Sequence, residues 1–277
     1  MQKEMQAMSQ TDSGNSISDR RTGSAGSDLA EKVLIVTGAS HGIGAAAARL
    51  FSRSGASVVL AAREEQALQT VAAGIASEGT QALAVPTDVT DAAAVERLVA
   101  SALERYGRLD GAFNNAGSGQ RPTPLAELAP EQFDAVLDVN LRGVFLCMRA
   151  ELKQLVSGGA IVNMTSTAGL SGAPGMAGYS AAKHGVVGLT ETAALDYGPK
   201  GIRVNAVAPG PILTERGIGT APAEVQEQVA QRLPIKRLGT SEEVAHAAAW
   251  LLSDASSFVN GATLSIDGGK LAGSAAL

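Results

Sequence analysis

Short runs of apolar, mostly β-branched residues alternate along this chain with longer stretches in which apolar residues recur every third or fourth position. The first run, Val33-Leu34-Ile35-Val36, has no polar alternation, which marks a strand covered on both faces. Similar runs stand at 57–62, 81–85, 109–114, 160–163, 202–208 and 263–266. Between them, helical spacing covers 45–53, 64–76, 91–106, 131–155, 179–197 and 241–252. Two of these helices have legible starts. Thr90 or Asp91 precedes the segment from Ala92, and Thr240-Ser241-Glu242-Glu243 has the form of a capping box. Strands alternating with helices imply right-handed crossovers and a parallel sheet with helices on both faces. The pattern predicts one doubly wound α/β domain over residues 30–277, without internal repeat or second domain.

Composition narrows the classes of function. Of 277 residues, 45% are hydrophobic and 18% charged, as in a soluble globular protein. Aromatic residues make up only 3% and glycines number 32, which suits tight turns and close backbone packing. Net charge is −5 with no basic run, so there is no electrostatic footprint for nucleic acid. No apolar run reaches the roughly 18 residues of a membrane span. Cys147 is the sole cysteine and the histidines are scattered at 41, 184 and 246, which gives neither an intrachain disulfide nor a metal-ligand cluster. The expectation is a cytoplasmic enzyme without a metal. Residues 1–29 are polar and rich in Gly and Ser, and they read as a disordered tail or an upstream start with Met5 or Met8 as alternatives. They lack the apolar segment of a secretory signal, and Glu4, Asp12 and Asp19 interrupt a transit-peptide pattern.

Two local patterns point to chemistry. Gly38-Ala39-Ser40-His41-Gly42-Ile43-Gly44 follows the first strand and opens a helix. In that position backbone N–H groups and the positive helix end face a phosphate, and glycines let a pyrophosphate approach the chain. The spacing, preceded by Thr37, departs from the commoner Gly-x-Gly-x-x-Gly fingerprint, and a glycine turn without a ligand is the alternative. The second pattern is Tyr179 and Lys183, four apart on a helix and so on one face. A fixed cation beside a phenol lowers its pKa, and such a tyrosine can exchange a proton with an alcohol or carbonyl. The alternative is an amphipathic helix with a snorkelling lysine.

Thr37-Gly38-Ala39-Ser40-His41-Gly42-Ile43-Gly44 resembles the cofactor loop of the short-chain dehydrogenase/reductase family. Asp88-Val89, Asn114-Asn115-Ala116-Gly117, Asn140, Ser166 and Tyr179-x-x-x-Lys183 agree in order and spacing, and the segments 205–214 and 267–269 resemble the family's closing motifs. The match runs from about residue 30 to 270. It implies a single Rossmann-type domain with a seven-stranded, mainly parallel sheet, a nicotinamide dinucleotide, and interconversion of a carbonyl and a secondary alcohol. Under it, Gly38, Ser40, His41, Gly42, Ile43 and Gly44 hold the cofactor's phosphates. Asp88 and Val89 meet the adenine side, with helix capping as the alternative for Asp88. Asn115, Ala116 and Gly117 line the adenine ribose. Pro209, Gly210, Ile212 and Thr214 anchor the carboxamide. Tyr179 is the proton donor or acceptor, and Lys183 lowers its pKa and holds the nicotinamide ribose. Ser166, thirteen positions before Tyr179, polarises the carbonyl, with Thr165 or Thr167 as alternatives. Asn140, in the long helix from Glu131, holds a water that links Lys183 to solvent. The resemblance also implies a homotetramer, or a homodimer, through the helices from Asp91 and Glu131.

The end of the second strand bears on which dinucleotide. Val58-Val59-Leu60-Ala61-Ala62-Arg63 has no acid to bond ribose hydroxyls; Ala62 leaves room and Arg63 offers a planar fork for phosphate. NADP(H) is therefore expected over NAD(H), although Glu64 follows directly and His41 stands where many NADP-preferring relatives carry Arg or Lys. The rival to an enzyme, a non-catalytic dinucleotide sensor, has no use for the four residues Asn140, Ser166, Tyr179 and Lys183. Substrate identity stays open among fatty-acyl, sugar, steroid, polyketide and small cyclic carbonyl compounds. The segment 211–234 is expected as a lid, Met176 as a wall, and Arg121 or Arg216 as either a carboxylate partner or a solvated surface residue.

Overall fold

The computed structural model describes residues 28–273. Seven parallel strands, β1 (Val33–Thr37), β2 (Ser57–Ala62), β3 (Ala82–Pro86), β4 (Gly111–Asn114), β5 (Ala160–Met164), β6 (Arg203–Pro209) and β7 (Thr263–Ile266), form one sheet in the order β3-β2-β1-β4-β5-β6-β7. The helices are α1 (Gly42–Arg53), α2 (Glu65–Ser77), α3 (Ala92–Tyr106), α4 (Pro130–Leu137), α5 (Gly143–Glu151), α6 (Ala177–Tyr197), α7 (Ala223–Gln231) and α8 (Ser241–Leu252). All seven expected strands are present.

The apolar runs are continuous because the central strands are covered twice. In β1, Leu34 and Val36 join Phe51 of α1, Leu68 of α2 and Val244 of α8, while Ile35 joins Leu98 of α3, Val144 of α5 and Val186 of α6 on the other side. The Phe51 ring meets Phe113 of β4 edge-on, with centroids 6.1 Å apart. Strand order reverses at β1, which pairs with β2 on one side and β4 on the other. A crevice therefore opens beyond the carboxyl ends of β1 and β4, where the glycine loop and residues 115–117 emerge.

Some expectations are corrected and others resolved or met. The single helix over 131–155 is α4, a wide π-type turn at Asp138–Arg142, and α5, which ends at Glu151. Asn140 explains the widening: its side-chain Nδ2 donates at 3.0 Å to Val136 O, the carbonyl that an unbroken α-helix would give to the Asn140 backbone N–H. The 211–234 segment contains α7, whose polar sequence buries only Ala230 and so carries no apolar stripe. The α3 start resolves to Asp91, which accepts from Ala93 N at 2.9 Å, and the Thr240–Glu243 capping box forms. Leu29, placed in the tail from sequence, is fully buried, and its N–H donates to Ser54 O at 3.1 Å. Residues 1–27 of the expected tail lie outside the described residues.

Beneath the crevice runs a polar seam. Asn114 Nδ2 donates to Glu151 Oε2 (2.9 Å) and Asn163 Oδ1 (3.1 Å), and Asn163 Nδ2 reaches Thr190 Oγ1 at 3.0 Å. It ties β4 and β5 to α5 and α6. Burial pushes the Glu151 carboxyl up to about 7, against the Asn114 hydrogen bond that favours its ionised form.

Candidate active site

Thr37 closes β1 and organises the turn that follows. Its Oγ1 accepts from Asn115 N and Ala116 N, both at 3.0 Å, so the ends of β1 and β4 are locked together. The Asn115 Nδ2 donates to Thr37 O (3.0 Å) and Gly38 O (3.2 Å), which places its side chain in the loop's framework. Gly38 has φ +66°, and a Cβ on Gly44 would collide with the Gly38 carbonyl, so only glycine lets α1 start this close to the strand. The N-terminus of α1 then presents free N–H groups, and one already holds an anion. Gly42 N donates at 3.1 Å to Glu215 Oε2, a carboxylate standing where a phosphate oxygen would sit. That contact, with the glycine cradle, fits the loop to a dinucleotide pyrophosphate.

Two adjoining cavities occupy the crevice and share Gly117 and Ser118. The larger, about 390 Å³, is lined by Ile43, Asn115, Asn140, Ser166, Tyr179, Lys183, Pro209, Gly210, Ile212 and Thr214 among others. The smaller, about 110 Å³, takes Gly38, Ser40, Arg63, Asp88, Val89 and Ala116. Three expected residues line neither: Gly42, Gly44, and His41, whose Nδ1 lies 3.0 Å from Ser40 Oγ. Asp88 is not a helix cap. Its Oδ1 accepts from Thr90 N at 3.0 Å and Thr90 Oγ1 at 2.8 Å, which holds its carboxyl below the usual range.

In the larger cavity, β5 delivers Ser166 and α6 delivers Tyr179 and Lys183. Ser166 turns the chain at the strand end, its Oγ accepting from Ala168 N at 3.2 Å. Lys183 is 2% exposed and donates one of its three N–H groups to Met164 O at 3.0 Å. Burial lowers its pKa to about 8. Its Nζ stands 5.6 Å from the Tyr179 ring centroid. The net lowering of the phenol pKa expected from Lys183 is not seen: burial pushes Tyr179 up, opposed by a hydrogen bond with Ser166, so the phenol keeps its proton at neutral pH. The reason is that cation and phenol share one desolvated pocket.

Asn140 reaches this centre from the π turn. A Cβ on Gly117 would meet Asn140 Oδ1 at 2.8 Å and Lys183 Nζ at 3.7 Å, so both converge there. The side-chain amide expected to hold a water is engaged at both ends: Oδ1 accepts from Ser118 N (3.2 Å), and Nδ2 donates to Ser118 O and Val136 O (3.0 Å each).

At the other end, Arg63 and Glu64 are exposed beside Arg216, whose Nη2 reaches Glu64 Oε1 and Oε2 at 2.6 and 2.7 Å. Arg216 is thus neither free nor at the reacting end. Its hydrogen bond holds the Glu64 carboxyl below its ordinary range. Sequence reasoning gave Glu215 no role and missed the Glu64–Arg216 pair; the one available signal for Glu215 was its position directly after Thr214. Among the described residues, no group of three His, Cys, Asp or Glu side chains is placed to hold a metal ion, and no helix is long and apolar enough to cross a membrane.

Comparison with known proteins agrees with this layout. Residues 38–270 match the family model described as Enoyl-(Acyl carrier protein) reductase. The A-factor type gamma-butyrolactone 1'-reductase (1S-forming) of Streptomyces virginiae is 42% identical over 246 residues, 87% of this chain and 96% of that protein. The cis-4-hydroxycyclohexanecarboxylate dehydrogenase of Sinomonas cyclohexanicum is 46% identical over 249 residues, 89% of this chain and 99% of that protein. The crystal structure of levodione reductase superposes with a TM-score of 0.84 at 38% identity, covering 88% of this chain and 98% of that one.

Proposed function

The chain belongs to the short-chain dehydrogenase/reductase family and is an oxidoreductase of the carbonyl/alcohol class; from that premise we propose that it is an NADP(H)-dependent ketone reductase in which Tyr179 is the general acid/base. The observation that carries this reading is the shared pocket of Ser166, Tyr179 and Lys183. A phenol kept protonated at neutral pH is set to donate to the substrate oxygen in the reducing direction. A bound nicotinamide supplies or accepts the hydride. Ser166 hydrogen-bonds the substrate oxygen as negative charge grows on it. Lys183, cationic at neutral pH with a pKa of about 8, stabilises the phenolate left after transfer and holds ribose hydroxyls. Asn140 fixes the floor beside Lys183 through Ser118.

The proposed cofactor preference rests on the exposed end. Arg63 lines the smaller cavity, and Arg216 pairs with the adjoining carboxylate of Glu64, which would otherwise repel a 2′-phosphate. For the substrate, a compact ring-bearing ketone is favoured by the relatives named for a butyrolactone and a hydroxycyclohexanecarboxylate. The protein is proposed to work in the cytoplasm as a homotetramer or homodimer. A panel of cyclic ketones, followed by NADPH absorbance, tests the class. Tyr179→Phe is expected to lower turnover by about 10²–10⁴-fold while dinucleotide affinity stays within about twofold. Substantial remaining turnover refutes the proton-transfer role.

A further inference from the structure

α6 carries both Tyr179 and Lys183, and it starts without a local cap. Its N-cap residue is Met176, which has no side-chain acceptor to offer. Tyr179 is the third residue of the helix, and its N–H is one of those that an N-cap side chain normally satisfies. Here that N–H donates at 2.9 Å to Gln120 Oε1, 59 residues upstream. The other end of the same amide, Nε2, donates at 2.9 Å to Gly175 O, which also accepts from Thr123 N at 2.9 Å. Gln120 thereby stitches the segment after β4 to the loop before α6 and to the backbone of Tyr179 itself. Gly178 makes the approach possible: a Cβ there would stand 3.1 Å from Gln120 Oε1 and 3.2 Å from Phe133.

The helix has a second anchor one turn further on. Lys183 is held by Met164 O through Nζ, and its own carbonyl accepts from Thr165 Oγ1 at 2.8 Å. Those bonds do not involve Gln120. Loss of the Gln120 amide would free the first turn, which carries the phenol, while leaving Lys183 against β5. Just upstream of Gln120, Ser118 and Gly119 line the reaction cavity, so the strap refers the phenol directly to the wall it works against.

We propose that Gln120 is a positioning residue for the reaction: it caps α6 at Tyr179 and sets where the phenol stands in the cavity. This rests on Tyr179 being the proton donor. The bond to Tyr179 N–H is the essential one, and the bond to Gly175 holds the amide in orientation.

The test compares Gln120→Leu, which removes both bonds, with Gln120→Glu, which keeps an oxygen for Tyr179 N–H and gives up the donor to Gly175. Turnover is measured with NADPH on the ketone of the cyclic panel reduced fastest, together with NADPH dissociation constants and melting temperatures. Gln120→Leu is expected to lower kcat by about 10- to 100-fold, with KM and the NADPH dissociation constant within about threefold. Gln120→Glu is expected to recover most of kcat, since a carboxylate at a helix N-terminus is also electrostatically favourable. Unchanged kcat in Gln120→Leu overturns the proposal. So does an equal loss in both variants that follows melting temperature, because that is the behaviour of a structural residue. If Tyr179→Phe retains turnover, the proton-donor reading itself falls; if Tyr179→Phe is inactive and Gln120→Leu is normal, only the role of Gln120 falls.

Discussion

The two ends of the crevice are built on opposite principles. At the reacting end, Lys183 is 2% exposed, its ammonium is tied to a backbone carbonyl, and burial moves both its pKa and that of Tyr179. At the far end, Arg63, Glu64, Glu215 and Arg216 are all exposed; Glu64 pairs with Arg216, and Glu215 accepts from a single backbone N–H. Burial sets where each group titrates. Exposed pairs cost little to rearrange, because water competes for every partner. On the proposed reading, chemistry is written at the buried end and cofactor choice at the exposed one.

Lys183→Met strikes the buried end hardest. Turnover is expected to fall by about a thousandfold, while stability moves the other way. The folded-state pKa of about 8 lies below the ordinary 10.5. Between those values the unfolded chain binds the proton and the folded chain does not, so wild-type stability rises with pH across that window. Below pH 8 the buried ammonium carries its full cost, on the order of 3 kcal/mol. Methionine removes that cost, offset by about 1 kcal/mol for the Met164 carbonyl left without a partner. The cofactor-free variant should therefore melt higher than wild type at pH 7, with the advantage disappearing towards pH 10.5. A lower melting point at pH 7 would mean that the lysine's contacts outweigh its burial.

An effect of intermediate size is expected at the exposed end. Arg63→Ala should lower the ratio of kcat/KM with NADPH to that with NADH by about 10- to 100-fold, the range for losing a charge-assisted bond to phosphate. Rates with NADH should barely change, since a ribose hydroxyl gains nothing from the guanidinium. An unaltered ratio would place discrimination elsewhere, and Arg216, lining the same cavity, is then the residue to replace.

The same contrast decides what was legible beforehand. The central strands were readable because each is a short apolar run covered on both sides, a property of neighbouring residues alone. Ser166, Tyr179 and Lys183 were readable because one strand end and one helix bring them together through local spacing. The break at Asp138–Arg142 was hidden, since it arises from the Asn140 side chain taking a carbonyl from its own helix, and the apolar periodicity runs on through it. α7 was hidden because it buries almost nothing. Gln120 on Tyr179 and Arg216 on Glu64 join residues 59 and 152 positions apart, and no pattern in one sequence announces such pairs. The direction of the Tyr179 shift needed depth of burial, which spacing does not carry.

Glu215→Gln is the gentlest probe and bears on the contact that ties the segment expected as a lid to the glycine loop. The Glu215 carboxylate accepts from Gly42 N at 3.1 Å, at the positive end of α1, and is exposed to water. A pyrophosphate approaching the same N–H must displace it and also meets its charge. Glutamine keeps the length and an acceptor oxygen, so the lid can stay in place, but the repulsion is gone. Dinucleotide binding, read by fluorescence titration, should tighten by about two- to fivefold, the scale of an exposed charge interaction. Because the effect is electrostatic, it should shrink as salt shortens the Debye length from about 10 Å at 0.1 M to about 3 Å at 1 M. Weaker binding in the variant, insensitive to salt, would instead make Glu215 a strut that holds the lid for the cofactor, and the exposed end would then share the rigidity of the buried one.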